Sequence, residues 1–320
     1  MGIRASTTLG CSPSRFLYVI EWYIVDAMST NHALCRLAFC GALLCLGGCG
    51  ETEPAPAPPR IEPPSECNGH AELCDRHYDE IAFPATHNAM SNFELGWAAA
   101  NQNFSMTRQL DDGIRAMLID THAWNDDLYL CHSICALGNT LLVDALKDIR
   151  TFLDAHPHEV LTFIIQDGIT PAQTEQAFQA AGLAEMMYAH EVGMPWPTLR
   201  EMIMSGKRIV AGAESEGPPP AWYHHFWDVA WDTPYSFAKP EDFTCTPNRG
   251  TKGNDLFLLN HWLSDPLSTP ERAQIANEYD MLSSRAKQCR MEGGQIPNFV
   301  AVDFYDIGAL FQVVDELNGL

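Results

Sequence analysis

The chain has 320 residues, of which 46% are hydrophobic and 19% are charged, a composition typical of one large globular domain or two small ones. Its 41 acidic residues outnumber its 19 lysines and arginines, so the formal net charge is -22 at pH 7. Because so negative a protein repels phosphate backbones, the charge argues against a nucleic-acid partner. We expect a monomer.

The N-terminal residues predict export. Residues 28–49 resemble the signal peptide of a bacterial lipoprotein: a basic residue precedes an apolar run, and "LGGC" at its end resembles the lipobox, with Cys49 as the lipidated residue. The alternative is an ordinary cleaved signal or a short membrane anchor, although the run is short for a transmembrane helix. Residues 1–27 do not fit this scheme, and we interpret them as an extension that precedes the true start at Met28.

A linker and a single folded domain follow the predicted signal. Residues 50–66 are rich in proline and glutamate, which is typical of an extended tether, and residues 67–320 form the domain. The predicted location is therefore the outer membrane or the cell surface. An even number of cysteines remains in the domain, as expected in an oxidising compartment. The alternative is a zinc site, but the domain contains no CxxC pair of the kind that typically binds zinc. Proximity along the chain predicts the disulfides Cys67–Cys74, Cys131–Cys135 and Cys245–Cys289.

The domain alternates apolar runs with helical patterns. In chain order, the predicted strands are Ile81–Ala85, Ile114–Asp120, Leu128–Cys131, Val160–Gln166, Arg208–Ala213, Leu256–Asn260 and Phe299–Phe304. The predicted helices are Leu141–Ala155, Thr174–Tyr188, Leu199–Met204, Glu271–Lys287 and Leu310–Leu317. This alternation favours an α/β barrel or an open parallel sheet. Seven strands are one short of a barrel of eight, and the aromatic segment at 221–237 is either the missing strand or a long loop.

Polar residues follow nearly every predicted strand. The residues at these ends are His87, Asn88, Asp120, His132, Gln166, Asp167, Glu214, Asn260, His261 and Asp303. In a parallel barrel the carboxyl ends of the strands meet at one face, where active sites form, so we expect these side chains to share one cleft.

Two histidines with supporting carboxylates suit general acid–base catalysis near neutral pH. One imidazole would take a proton and the other would return one to a leaving group, while a carboxylate such as Asp303 would fix the tautomer of its partner. The sequence has no G-x-S-x-G elbow, no P-loop and no H-E-x-x-H motif, which argues against serine acyl transfer and nucleotide hydrolysis.

Several motifs occur in an order that resembles one family. "FPATHNAMSN", "QLDDGIRAMLIDTHAW", "LYLCHSIC", "FLDAHPHEVLTFIIQDGIT", "CTPNRG" and "PNFVAVDFYDIG" resemble the catalytic X region of phosphatidylinositol-specific phospholipase C, especially its secreted bacterial, fungal and plant members. The resemblance covers residues 75–320. It implies a distorted, incompletely closed α/β barrel of the TIM type and cleavage of a phosphodiester lipid with the substrate's own hydroxyl as nucleophile. It also implies that His87 is the general base, His132 the general acid and Asp303 the support of the base.

The resemblance leaves open how the charge on the phosphoryl oxygens is stabilised. Family members use either a calcium ion or an arginine two positions after the aspartate of the second strand. Asn88 and Asp120 resemble calcium ligands, but the other two acidic positions hold Leu118 and Gln166. Leu118 offers no oxygen, so the expected ligand set is incomplete, although Gln166, Asp167 or Glu214 could contribute. The arginine position holds His122, which is either a cationic substitute or a solvated loop residue.

Two smaller features and two rival functions complete the sequence-based expectations. Arg115 is interpreted as a structural ion-pair partner rather than a phosphate ligand. The tryptophans of the aromatic segment, Trp222, Trp227 and Trp231, either contact a lipid interface or pack in the core or rim. A rival reading is a glycerophosphodiester phosphodiesterase, to which "THNAM" is a poor match, and another is a catalytically silent barrel that binds lipid or glycan.

Overall fold

Eight parallel strands form the centre of the fold in the computed structural model, which describes residues 63–265 and 267–320. The strands of the described chain are β1 (Phe83–Thr86), β2 (Ala116–Trp124), β3 (Asp127–Leu130), β4 (Thr140–Leu141), β5 (Leu161–Gly168), β6 (Ile209–Ala213), β7 (Tyr223–His225), β8 (Ala230–Asp232), β9 (Leu256–His261) and β10 (Phe299–Val302). The predicted signal peptide, with Cys49, and most of the predicted linker lie outside the described residues.

The parallel strands follow the order β7-β6-β5-β2-β1-β10-β9-β8. Each neighbouring pair is parallel, and the first and last strands along the chain, β1 and β10, pair at the centre. Among the described strands, β7 and β8 end this order without pairing to each other, so the sheet curls into a barrel that is not closed. The predicted fold class, an incompletely closed α/β barrel in a single domain, is confirmed.

Helices connect the strands and cover the outside of the sheet. They are α1 (Met106–Asp111), α2 (Leu142–Ala155), α3 (Pro171–Ala180), α4 (Leu199–Ser205), α5 (Phe226–Val229), α6 (Pro270–Ala276), α7 (Tyr279–Gly293) and α8 (Leu310–Asn318). None of the helices in this part of the chain is long and apolar enough to cross a membrane.

The third predicted strand does not belong to the parallel set. The region that we predicted as Leu128–Cys131 forms β3, which runs antiparallel to β2 and also pairs antiparallel with the short β4. The aromatic segment supplies two parallel strands, β7 and β8, with the single turn of α5 between them. The barrel therefore reaches eight parallel strands by a different route from the one we predicted.

Two predicted helices have different bounds for local reasons. The helix predicted to reach Tyr188 ends at Ala180, and Gly182 follows it with φ +73°, a conformation that favours glycine. The helix predicted over Glu271–Lys287 is two helices, α6 and α7. It is interrupted at Asn277, whose buried side chain donates to the backbone oxygens of Asp303 and Ile307 instead of continuing a helical face.

The apolar residues form two layers because successive strand residues face opposite sides of the sheet. One cluster fills the barrel interior and includes Phe83, Leu118, Ile164, Leu258 and Phe299. The larger cluster lies between the strands and the helices. Apolar side chains therefore fill the barrel interior up to the carboxyl ends of the strands, where the polar side chains lie.

Candidate active site

The carboxyl ends of the parallel strands carry a ring of inward polar side chains. On β2, Ala116 and Leu118 belong to the interior cluster, and Asp120 is the next residue in the same phase. The interior series of the other strands continue in the same way into His87, Gln166, Glu214, Asp232, Asn260 and Asp303. Strand alternation thus places these polar groups above one apolar floor, as the strand-end pattern predicts.

His87 and Asp303 form the best-defined pair in this ring. They follow β1 and β10, which are neighbours, and His87 Nδ1 lies 2.8 Å from Asp303 Oδ1. The Asp303 side chain is 1% exposed, and its carboxylate also accepts hydrogen bonds from Asn101 Nδ2 at 3.2 Å and from the Ser268 hydroxyl. In neutral His87 the proton is therefore held on Nδ1, which leaves Nε2 as the basic nitrogen.

Two neighbours fix the position of His87. The indole of Trp262 stacks on the imidazole, with ring centroids 3.8 Å apart and an interplanar angle of 4°. Gln102, which is fully buried, donates from Nε2 to the backbone oxygens of His87 and Val302. Gln102 therefore joins the ends of β1 and β10 just where the histidine and its aspartate leave them. Neither Trp262 nor Gln102 is among the residues predicted from the sequence.

His132 reaches the cleft through the β2–β3 hairpin and not from a parallel strand end. β2 continues to Trp124, four residues beyond its predicted end, and β3 returns antiparallel, so that the backbone N–H of Cys131 donates to the Asp120 oxygen at 3.3 Å. This return brings His132 back to the level of Asp120. The disulfide Cys131–Cys135 braces the loop. Loss of hydration on burial, and then the positive charge of His87, lower the pKa of His132.

Asn88 joins the two histidines. Its Nδ2 lies 3.0 Å from His87 Nε2, 3.3 Å from His132 Nε2 and 3.3 Å from Asn101 Oδ1. Asn88 has φ +47°, a backbone conformation that asparagine tolerates better than most residues. Because both imidazoles present Nε2 to the same amide nitrogen, one small group in its place would contact both. This is the geometry that a paired acid and base require.

The cleft has two connected parts. The inner cavity, about 280 Å³, is lined by the barrel residues Leu118 and Ile164 and by Asp120, Glu214 and Arg249, among others. The outer cavity, about 370 Å³, is lined by His132 and by residues of the loops around it. The residues common to both parts are His87, Asn88, Gln166, Tyr235 and Trp262. The predicted base and Asn88 thus lie where the two parts meet.

Burial strongly affects the carboxyl groups of the inner cavity. Asp120 is 5% exposed, and loss of hydration raises its pKa to about 7, with His87 opposing and Glu214 adding to the shift. Burial also raises the pKa of Glu214, although Arg249 forms an ion pair with it. Near neutral pH Asp120 therefore exchanges its proton readily, and Glu214 is easier to protonate than an exposed glutamate.

Arg249 is the main functional candidate that is not among the residues predicted from the sequence. It lies in the quoted motif "CTPNRG", but far along the chain from the other candidates. Its Nη2 and Nε lie 2.7 and 3.0 Å from an Oδ atom of Asp232, and its Nη1 lies 2.8 Å from Glu214. The rings of Trp227 and Tyr235 lie 4.2 and 4.7 Å from the guanidinium carbon. The sequence offered one indication of such a residue. Asp232 ends β8, and a buried aspartate needs a cationic or hydrogen-bonding partner.

The described residues do not fit a calcium ion. Asn88, Asp120 and Gln166 do line one cavity, as predicted, and Glu214 lies with them. However, Leu118 lines the same cavity without an oxygen donor, and Glu214 is already paired with the Arg249 guanidinium. Within residues 63–265 and 267–320, no group of three or more His, Cys, Asp or Glu side chains is arranged to hold a metal. A divalent cation would also be repelled by the guanidinium.

The remaining predicted residues are placed as follows. His122 lies on β2, is half-buried, and is not among the residues that line either part of the cleft; its Nε2 is buried without a hydrogen-bond partner in the described chain. Arg115 pairs with Glu159 at 2.6 Å, a structural role. Trp231 is buried against Phe257. The three disulfides are the pairs that proximity predicts.

The structure is thus an open parallel α/β barrel with a histidine–aspartate pair and a second histidine at its carboxyl-terminal face. The solved structures agree on the fold: a phosphatidylinositol-specific phospholipase C from Staphylococcus aureus superposes with a TM-score of 0.50 at 16% identity, covering 77% of this chain and 94% of that one.

Sequence comparison then gives the family. The family model PI-PLC X 1 matches residues 73–318, and the chain belongs to the PI-PLC X-domain family. It is 30% identical over 275 residues to PI-PLC X domain-containing protein 1 of Arthroderma benhamiae, covering 79% of this chain and 90% of that protein. It is 31% identical over 302 residues to a protein of the same fungus named "Uncharacterized secreted protein", covering 84% and 67%.

Proposed function

We propose that the protein is a phosphoric diester hydrolase that cleaves a phosphoinositide-type lipid by phospholipase C chemistry. The observation that carries the proposal is the convergence of the His87 and His132 Nε2 atoms on one amide nitrogen, with His87 oriented by the buried Asp303. This arrangement places two imidazole nitrogens around one point, where one can take a proton and the other, once protonated, can return one. The fold and the family support phosphodiesterase activity at the coarser level.

The proposed reaction is a transfer of the phosphoryl group to the substrate's own hydroxyl. His87 Nε2 takes the proton of that hydroxyl as its oxygen forms a bond to phosphorus, and Asp303 stabilises the imidazolium that results. The bond between phosphorus and the glycerol oxygen breaks, and His132 gives its proton to the departing oxygen. The products are a cyclic phosphate and diacylglycerol. Reaction of the cyclic phosphate with water would use the same two histidines in the opposite roles.

We also propose that the protein acts at a membrane after export. The predicted lipidation at Cys49 and the linker at 50–66 would hold the domain near a lipid substrate. A relative named as a secreted protein supports export, while the anchor itself rests on the sequence alone.

Phosphorus NMR of the purified protein with phosphatidylinositol vesicles tests the reaction. A cyclic inositol phosphate is the expected first product. Glycerol phosphate formed from deacylated substrate would instead indicate a glycerophosphodiesterase, and no product with or without calcium would indicate a binding barrel. His87→Ala and His132→Ala should each abolish turnover while the circular dichroism spectrum stays unchanged.

A matched control is His156→Ala. His156 caps the C-terminus of α2, before β5 begins, and is therefore at the opposite end of the barrel from the cleft. This variant should turn over like the wild type. Wild-type rates in His87→Ala or His132→Ala would refute the assigned roles.

A further inference from the structure

We propose that Arg249 is a catalytic residue that binds the phosphoryl oxygens of the substrate and replaces the calcium ion that the residues do not fit. The inference rests on the proposed function, because it assumes that the cleft binds a phosphodiester. The resemblance places the family's arginine on the second strand, at the position that holds His122 in this chain. Arg249 lies elsewhere, after β8.

Arg249 is the only lysine or arginine among the described residues that line the two parts of the cleft. His122 does not line the cleft, and the protonation of His87 and His132 must change during the proposed reaction. A guanidinium keeps its charge at every working pH. It is therefore the one cleft group whose positive charge is constant while negative charge develops on the phosphoryl oxygens.

The contacts of Arg249 leave it able to bind an anion. A guanidinium has five N–H groups, and the contacts to Asp232 and Glu214 engage three of them. Two N–H groups remain, one on each terminal nitrogen, on a side chain that lines the inner cavity together with His87 and Asn88. Each of these two donors can bond a phosphoryl oxygen.

The surroundings hold Arg249 in one position. Asp232, which is fully buried, accepts from the Arg249 side chain and also from the Arg249 backbone N–H at 2.7 Å and from Asn260 Nδ2 at 3.0 Å. Trp227 and Tyr235 lie against the guanidinium. A donor that is fixed before the substrate arrives does not need to reorganise during the reaction, which is the condition for effective electrostatic stabilisation.

The carboxyl groups around Arg249 can become protonated when a phosphate binds. Burial raises the pKa values of Glu214 and Asp120, so a phosphodiester that enters the cavity can be accompanied by proton uptake on these groups. Protonation would release the Arg249 charge from Glu214 for the ligand. A calcium ion would require the opposite change, since its ligands must be ionised.

The alternative is that Arg249 has only a structural role, as an ion-pair link between two parts of the barrel. It joins Asp232 on β8 to Glu214 after β6, on the two sides of the unpaired edges β7 and β8. In that case an uncharged, hydrogen-bonded pair should serve as well. The double variant Arg249→Gln with Asp232→Asn provides such a pair and avoids leaving a buried aspartate alone.

The test measures binding of glycerophosphoinositol, a soluble phosphodiester, to the full chain by calorimetry in the presence of EDTA. The wild type should bind without calcium, and the double variant should lose about 10- to 100-fold in affinity, as expected for charge-assisted hydrogen bonds. Arg249→Lys should fall between them, because it keeps the charge but not the paired donors. Arg150→Gln, at an exposed ion pair on α2, is the matched control and should bind normally.

Three results would overturn the proposal: binding by the folded double variant within twofold of the wild type, wild-type binding that requires calcium, or no wild-type binding at millimolar probe. These results are separable from the proposed function. Calcium-dependent turnover of phosphatidylinositol would keep the function and refute Arg249. Arg249-dependent binding without turnover would refute the function and the catalytic role, and would leave Arg249 as a phosphate-binding residue only.

Discussion

Asp120→Asn should stabilise the protein at neutral and alkaline pH. Asp120 lines the inner cavity and is 5% exposed, and its ionised form is deprived of water without a cation in contact. The raised pKa means that the folded state holds the proton more tightly than the unfolded state does. The group therefore contributes fully below the unfolded pKa of 3.8, and its contribution is lost as pH rises through about 7.

The size of the effect follows from the pKa shift. A change from 3.8 to about 7 corresponds to about 4 kcal/mol of unfolding free energy, at 1.36 kcal/mol for each pKa unit. An asparagine does not ionise, so Asp120→Asn should equal the wild type within about 1 kcal/mol near pH 3.5 and exceed it by up to about 4 kcal/mol at pH 8.

Urea denaturation followed by tryptophan fluorescence, in EDTA and at intervals from pH 3.5 to pH 8, measures the difference. Asp148→Asn, an exposed aspartate on α2, is the control and should show no such trend. A stability difference that is the same at both ends of the range would show that packing, not ionisation, is responsible. Loss of stability at pH 8 in Asp120→Asn would refute the reasoning altogether.

Two further predictions concern the histidine support and a buried structural histidine. Asp303→Asn should lower kcat by about 10³- to 10⁴-fold with an unchanged circular dichroism spectrum, because an amide no longer fixes the tautomer of His87, whereas the exposed Asp306→Asn should remain within about twofold. The pKa of fully buried His261 is lowered to about 3 by burial and by Arg285, so its contribution to stability is present above pH 6.5 and lost as pH falls towards 3, by about 4 to 5 kcal/mol. His261→Gln should remove this acid sensitivity in the same urea titration, and an unchanged pH profile would contradict it.

Much of the site could be predicted because strand alternation is a strong constraint. Once "AMLID" is recognised as a buried strand, the phase that places Leu118 in the interior also places Asp120 there, and the same holds for His87 and Asp303. The short apolar runs also marked most strands to within two residues. These features depend on neighbouring residues and are therefore visible in the sequence.

The features that were missed depend on contacts between distant residues. β2 continues past Asp120 because β3 pairs with it, and nothing in "THAW" alone indicates that continuation. The break between α6 and α7 depends on the contact of Asn277 with the loop after β10, and helical periodicity continues through it. Arg249 is separated from Glu214 by 35 positions of loop and edge strand. Sequence pattern could not show that they meet.

The open edge of the barrel explains why Arg249 can take part in the site. In a closed barrel, β7 and β8 would be joined by backbone hydrogen bonds, and each strand end would contribute only its own inward residue. Here the chain after β8 pairs Gly250 with Trp231 at the free edge and directs Arg249 to Asp232 and Glu214. The gap thus admits a cation from outside the strand-end ring. A residue that reaches the cleft in this way can replace a missing ligand such as the one at Leu118 without altering the strands that hold His87 and Asp303.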